Sequence, residues 1–211
     1  METIIQKITI YALPVLFAIT LHEAAHAFAA RKFGDATAYM MGRMSLNPLK
    51  HIDPVGTILV PLLAVTIGGF LFGWAKPVPV NFGNLRNPKQ DMVWVAAAGP
   101  AANLLMAIGW ALLYNLAAID PQAYFSTPLA LMAAAGIQIN VVLMVLNLLP
   151  IPPLDGGRIA VGLLPYELAS PLSRVEPYGM FILVGLMLTG LLGVIVKPFY
   201  LAAMQLVSLF L

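Results

Sequence analysis

The residues of this chain best suited to chemistry are His22, Glu23 and His26, in the run Leu21-His22-Glu23-Ala24-Ala25-His26. On an α-helix, residues four apart lie one turn apart on the same face. Two imidazoles so placed can bind one zinc ion, and the carboxylate beside them can act as the base for water at the metal. A second reading has the two histidines buried and hydrogen-bonded, with Glu23 as their partner. The chain holds only 3 histidines. A chance His-Glu-x-x-His in this composition is on the order of one in a thousand. The run also lies in an apolar stretch that starts near Ile4, where ionisable groups are costly and mark function by default.

The medium that surrounds this run is legible in the composition. Of 211 residues, 61% are hydrophobic and 9% are charged, against about 25% charged in a soluble domain. That makes an all-α polytopic membrane protein, with one membrane domain over 1–211, a core over 4–158 and C-terminal membrane segments over 177–211. The net charge of +2 is small and scattered, so nucleic acid is not an expected partner; the lipid bilayer is. With no cysteine, disulfides and thiolate metal sites are excluded. The N-terminus shows no short cleavable apolar core, so the first span is expected to act as an uncleaved insertion signal.

The first span runs from Ile4 to about Phe33, with Pro14 as a tolerated kink. Arg31 and Lys32 close it and Gly34 is a stop. Lys/Arg excess marks the cytoplasmic side, so this end is expected inside, which places the metal pair at membrane depth near the cytoplasmic face of the cell (inner) membrane. In the connector that follows, His51 reads as a loop histidine in preference to a further ligand. Val55 to Trp74 is apolar but flanked by basic residues at both ends, the pattern of a re-entrant segment packed against protein. Ala75 to Asn84 is extended in character, because Pro77 and Pro79 exclude helix and allow an edge strand alone. A short β-strand there, near the site and able to pair with an extended peptide over Val78 to Phe82, and a plain linker are both open.

A second clear span, Asp91 to Ala118, carries Gly99-Pro100-Ala101-Ala102-Asn103, small residues that suit close helix packing. Asn103 is a polar group in the bilayer that needs a partner, on a neighbouring helix or at a site. The third span, Pro128 to Leu149, runs into Asn147-Leu148-Leu149-Pro150-Ile151-Pro152-Pro153-Leu154-Asp155-Gly156-Gly157-Arg158. Three prolines in four positions unwind the helix, and irregular backbone at this depth belongs where protein or a polar cavity surrounds it. Asp155 either caps the next helix or supplies the third zinc ligand, leaving a fourth position open. Glu167 and Glu176, the competing carboxylates, fall in a hydrophilic connector. A further span is expected over Tyr178 to Val196, with Lys197 outside, and the last 13 residues, Phe199 to Leu211, look too short to cross. Four to six membrane segments result. If the first span runs outside to inside, nine of the eleven Lys/Arg lie inside, Lys7 and Lys197 being the exceptions. A site shared by His22, His26 and Asp155 also needs one net crossing between the first and third spans, which agrees with a re-entrant 55–74.

The His-Glu-Ala-Ala-His helix, the Gly-Pro-Ala-Ala-Asn helix and the Asn-Leu-Leu-Pro-Ile-Pro-Pro-Leu-Asp-Gly-Gly break, in this order, resemble the site-2 protease family of intramembrane zinc metalloproteases (peptidase family M50). The resemblance extends from about Leu13 to Arg158 and is nearest to compact bacterial members without a PDZ domain, with similar segments at Ser45 to Thr57 and Phe72 to Asn81. It implies His22, His26 and Asp155 as ligands of one Zn2+ per chain, Glu23 as the catalytic acid/base, Asn147 as a catalytic residue beside the scissile carbonyl, and Gly99 and Asn103 as support. It implies hydrolysis of peptide bonds in single-span membrane protein substrates, with a homo-oligomer or gating partner left open. The competing classes are a membrane metal transporter, which calls for ligands along several spans, and a non-catalytic scaffold, which leaves Glu23 between the histidines unexplained.

Overall fold

The computed structural model describes residues 4–59 and 76–211. Most of the re-entrant segment expected over 55–74 therefore lies outside the described residues; Pro54–Leu59, which leads into it, forms a π-helical turn. The described residues form eight α-helices and no strand: α1 (Ile4–Lys32), α2 (Thr37–Met40), α3 (Pro88–Ile119), α4 (Ser126–Asn147), α5 (Asp155–Leu163), α6 (Tyr166–Ser173), α7 (Gly179–Leu188) and α8 (Leu191–Ser208). Four helices are long and apolar enough to cross a membrane, over Ile8–Lys32, Pro88–Ile119, Ser126–Asn147 and Leu191–Ser208.

The end of α1 and the start of α3 are set by local chemistry. α1 ends as Asp35 N–H reaches back to Ala30 O at 2.9 Å and Gly34 takes φ 117°, a left-handed residue that satisfies the last carbonyls. α3 begins with Pro88, whose missing N–H costs nothing at a first helical position, and Asp91 Oδ2 accepts the Asn87 N–H at 2.7 Å.

The helices pack on small residues. Ala18, Ala24, Ala27 and Ala30 of α1 are buried, as are Ala107 and Ala111 of α3 and Ala133 of α4, and small side chains let helix backbones approach when lipid is the surrounding solvent. Large apolar side chains such as Ile5, Phe17, Leu105, Leu116, Phe181 and Val194 point outward. This inside-out distribution fits an apolar medium and is the reverse of a water-soluble domain. α3 is the central element, packed against α1, α4 and α5. It is antiparallel to α1, since Val95 meets His26 and Asn103 meets Ala18. It is antiparallel to α4, since Asn103 meets Asn140 and Gly136 lies against Trp110. The C-terminal parts of α1 and α4 therefore reach the same level.

The C-terminal region departs from expectation. Tyr178 to Val196 is not one helix: α7 stops at Leu188, and Gly190 turns the chain with φ 75° before α8 begins. The chain from 199 to 208 is not a short separate piece but the second half of α8, with 209–211 following its end. Hydropathy alone does not locate this break, because the left-handed conformation that only glycine adopts cheaply falls inside an unbroken apolar run. Lys197 consequently lies within a helix and not beyond the end of one.

Candidate metal centre

His22 and His26 sit one turn apart on α1, as the four-residue spacing requires, and both rings face α3. Their Nε2 atoms are 3.1 Å apart. Asp155, the first residue of α5, brings Oδ2 to 3.3 Å from each of them. The proline break carries out this delivery: it ends α4 at Asn147 and turns the chain so that α5 starts against α1. The three side chains form a group whose ligand atoms all lie within 4.8 Å of one another.

The remaining ring nitrogens fix which atoms face inward. His26 Nδ1 is 2.7 Å from Val95 O. A carbonyl only accepts, so Nδ1 carries the proton and Nε2 presents its lone pair. His22 Nδ1 is 2.6 Å from Asn103 Oδ1, and the direction of that bond is set by a buried relay. Gly136 O, another obligate acceptor, takes the Asn140 Nδ2 amine at 2.8 Å. Asn140 Oδ1 then accepts from Asn103 Nδ2 at 2.9 Å, and the same Nδ2 donates to Ala18 O at 3.3 Å. Asn103 Oδ1 is left to accept from His22. Asn103 and Asn140 are both fully buried, where each such bond must be made. Two Nε2 lone pairs and a carboxylate oxygen thus converge, and among the described residues Asp155 Oδ2 is a buried atom with no hydrogen-bond partner.

Comparison with known proteins agrees. The sequence profile of peptidase family M50 matches residues 115–190. Over 187 residues the chain is 42% identical to "Putative zinc metalloprotease YwhC" of Bacillus subtilis (strain 168), covering 87% of this chain and 82% of that protein. The chain belongs to peptidase family M50. "Putative zinc metalloprotease Rip2" of Mycolicibacterium smegmatis is 37% identical over 179 residues, which cover 82% of this chain and 64% of the relative. No solved structure matches the chain. This M50 peptidase is a membrane zinc metalloprotease, and its donor set fits the ion. Two imidazole nitrogens and a carboxylate oxygen make a three-ligand catalytic set, and donors about 2.0 Å from a tetrahedral zinc stand about 3.3 Å from one another, the spacing found here.

α3 can pass this pair only because residue 99 is glycine. A Cβ there would lie 2.4 Å from His26 Nε2 and 2.6 Å from His22 Cε1, distances that no real Cβ contact shows. The small-residue motif in the second span is thus the wall of the metal centre.

Glu23, half-buried beside the pair, accepts the Val78 N–H on Oε2 at 2.7 Å. The segment 76–81 that supplies this donor is neither helix nor strand. Pro77 and Pro79 have no N–H; Lys76 N–H goes to His51 O at 3.0 Å and Asn81 N–H to Asp35 Oδ2 at 2.8 Å. Most of its donors are thereby committed within the protein. Asp35, buried at the end of α1, anchors the segment: Oδ1 accepts from Thr37 N–H, the Thr37 hydroxyl and Asn84 Nδ2, and Oδ2 from Asn81. Burial pushes the Asp35 carboxyl up, but these hydrogen bonds outweigh it and hold its pKa below the usual range.

Of the other expected positions, Asn147 lies in the cavity that opens beside His22 and Glu23, with its amine on its own helix at Leu143 O, 3.0 Å away. His51 is buried in the connector with Nε2 2.8 Å from Ser45 O, and is not in the metal group. Glu176 pairs with Arg158 at 2.7 Å and Glu167 is exposed, so neither competes with Asp155. The role of Asn140 carried no sequence signal beyond being a polar residue in a span; its partner at 103 is what gives it meaning.

Proposed function

We propose that this protein is an intramembrane endopeptidase that cleaves single-span membrane proteins within the bilayer, with its site toward the cytoplasmic face of the cell membrane. The observation that carries this reading is the position of the metal group. His22 and His26 lie inside a helix apolar enough to span, and His22 and Glu23 line a cavity of about 850 Å³ whose other walls are largely apolar side chains of α1, α4, α7 and α8. Such a cavity suits an apolar peptide segment better than a soluble one.

His22, His26 and Asp155 would hold the ion. Bound zinc supplies Lewis acidity, polarising the scissile carbonyl and acidifying water. Glu23 takes the proton from the attacking water as the new C–O bond forms, and then delivers it to the leaving amine nitrogen as the C–N bond breaks. Asn147, once its amide leaves Leu143 O, donates to the carbonyl oxygen where negative charge develops. A helical substrate hides its peptide bonds and must unwind locally in the cavity, next to the non-helical segment at Val78.

Glu23→Gln tests the assignment. The protein keeps its zinc, while cleavage falls by about 10²–10⁴-fold, the usual contribution of a general base. Retention of substrate by the Glu23→Gln protein in native membranes, followed by mass spectrometry, identifies the substrate. Full proteolysis by this variant would overturn the mechanism.

A further inference from the structure

Lys197 is a charged group that the reaction above leaves unused, and its surroundings call for an anion. It is the one charged residue of α8, a helix apolar enough to cross a membrane, and its side chain lines the same cavity as His22, Glu23 and Asn147. Its level can be counted. Asn115 Nδ2 donates to Phe210 O at 2.8 Å, which pins the end of α8 to α3; Val196 and Tyr200, further back on α8, pack on the cluster that holds Ala107 and Ala111 of α3, so the two helices run the same way. Stepping back from Phe210 to Lys197 along α8, and from Asn115 to Asn103 along α3, covers about 18–20 Å in each case at 1.5 Å per residue. Lys197 therefore stands level with Asn103, the partner of His22. Val196 and Tyr200, on either side of Lys197, also pack on the cluster built from Ala107, Ala111, Val141 and Met144 of α3 and α4, which keeps this turn of α8 against the bundle.

The other charges on the cavity are committed. Arg158 pairs with Glu176 at 2.7 Å, and Glu23 accepts the Val78 N–H. Lys197 makes no hydrogen bond or ion pair among the described residues. An ionisable group at membrane depth faces a polar partner or a cavity and marks function. Lys197 is exposed on the apolar wall of the cavity, where an ammonium attracts a carboxylate and repels a second cation.

We propose that Lys197 is a specificity residue, which selects substrate segments carrying an Asp or Glu side chain at one position near the scissile bond. This rests on the intramembrane-protease reading, and the test separates the two. Single-span synthetic peptides of one apolar sequence, with Asp, Asn or Lys scanned through each position, are reconstituted with the zinc-loaded full chain, and fragments are quantified by mass spectrometry.

At one position the wild-type protein cleaves the Asp peptide at least about tenfold faster than its Asn counterpart, the size expected for one charge-assisted hydrogen bond. Lys197→Met loses that ratio, Lys197→Arg keeps it, and Lys197→Glu transfers the preference to the Lys peptide. A ratio that is flat in the wild type, or unchanged in Lys197→Met or Lys197→Glu, overturns the proposal while Glu23-dependent cleavage stands. If no peptide shows Glu23-dependent cleavage, the protease reading falls as well.

Discussion

Asn103→Leu removes a side chain that touches neither substrate nor metal, and its effect should nevertheless appear in zinc affinity. In the native protein the Asn103 carbonyl holds the His22 proton on Nδ1 at 2.6 Å and thereby turns the Nε2 lone pair toward Asp155. Leucine keeps the volume and loses both functions. The His22 N–H and Asn140 Oδ1 are left without a partner in a site that is fully buried around residues 103 and 140, at a cost of about 1–3 kcal/mol for each orphaned group. His22 is then free to carry its proton on either nitrogen and to rotate. Loss of such an orienting partner lowers metal affinity by about 10–100-fold, or about 1.4–2.7 kcal/mol. The assay is competition for zinc between detergent-purified protein and chelators of graded affinity, with helix content followed by circular dichroism. Asn140→Leu should cost less than tenfold, because Ala18 O still fixes the Asn103 amide at 3.3 Å. Zinc affinity equal to wild type in a folded Asn103→Leu protein would refute the relay, and so would an Asn140→Leu protein weaker than Asn103→Leu.

Other outcomes follow from the same geometry. His22→Ala and Asp155→Ala should each remove bound zinc, measured by metal analysis after gel filtration, because each takes away one of three converging donors. Gly99→Ala should also lose zinc, since the added methyl would sit 2.4 Å from His26 Nε2; a crystal structure with unmoved histidines would contradict this. Asp35, with its folded pKa depressed, adds stability that is present above its unfolded value of about 3.9 and is lost as pH falls through the lower folded value. Thermal melts of wild type and Asp35→Asn should therefore converge in acid and separate toward neutral pH.

Much of this protein was legible because the membrane imposes simple rules. Apolar stretches long enough to span announced α1, α3 and α4, and a four-residue spacing put His22 and His26 on one face whatever the tertiary fold. Asp155, which the structure brings to the two histidines, was legible as a candidate, either a helix cap or a third ligand, because a proline-broken helix end at membrane depth has to be surrounded by protein. The C-terminal region was not, since an apolar run gives hydropathy no edge at which to place the turn at Gly190. That misplacement put Lys197 beyond the end of a span, when it lies within α8 and lines the cavity beside His22.

Sequence by itself determined the kind of chemistry: the donor types, their helical phase and the carboxylate beside them are local properties of a 3.6-residue repeat. Tertiary structure alone decided how that chemistry is held. The direction of the Gly136–Asn140–Asn103–His22 relay, the Val95 carbonyl that fixes His26, the need for glycine at 99 and the grip of Val78 on Glu23 all depend on which backbone groups of distant segments come within hydrogen-bonding distance. No local pattern encodes those distances, because they arise from the close approach of helices packed through alanine and glycine.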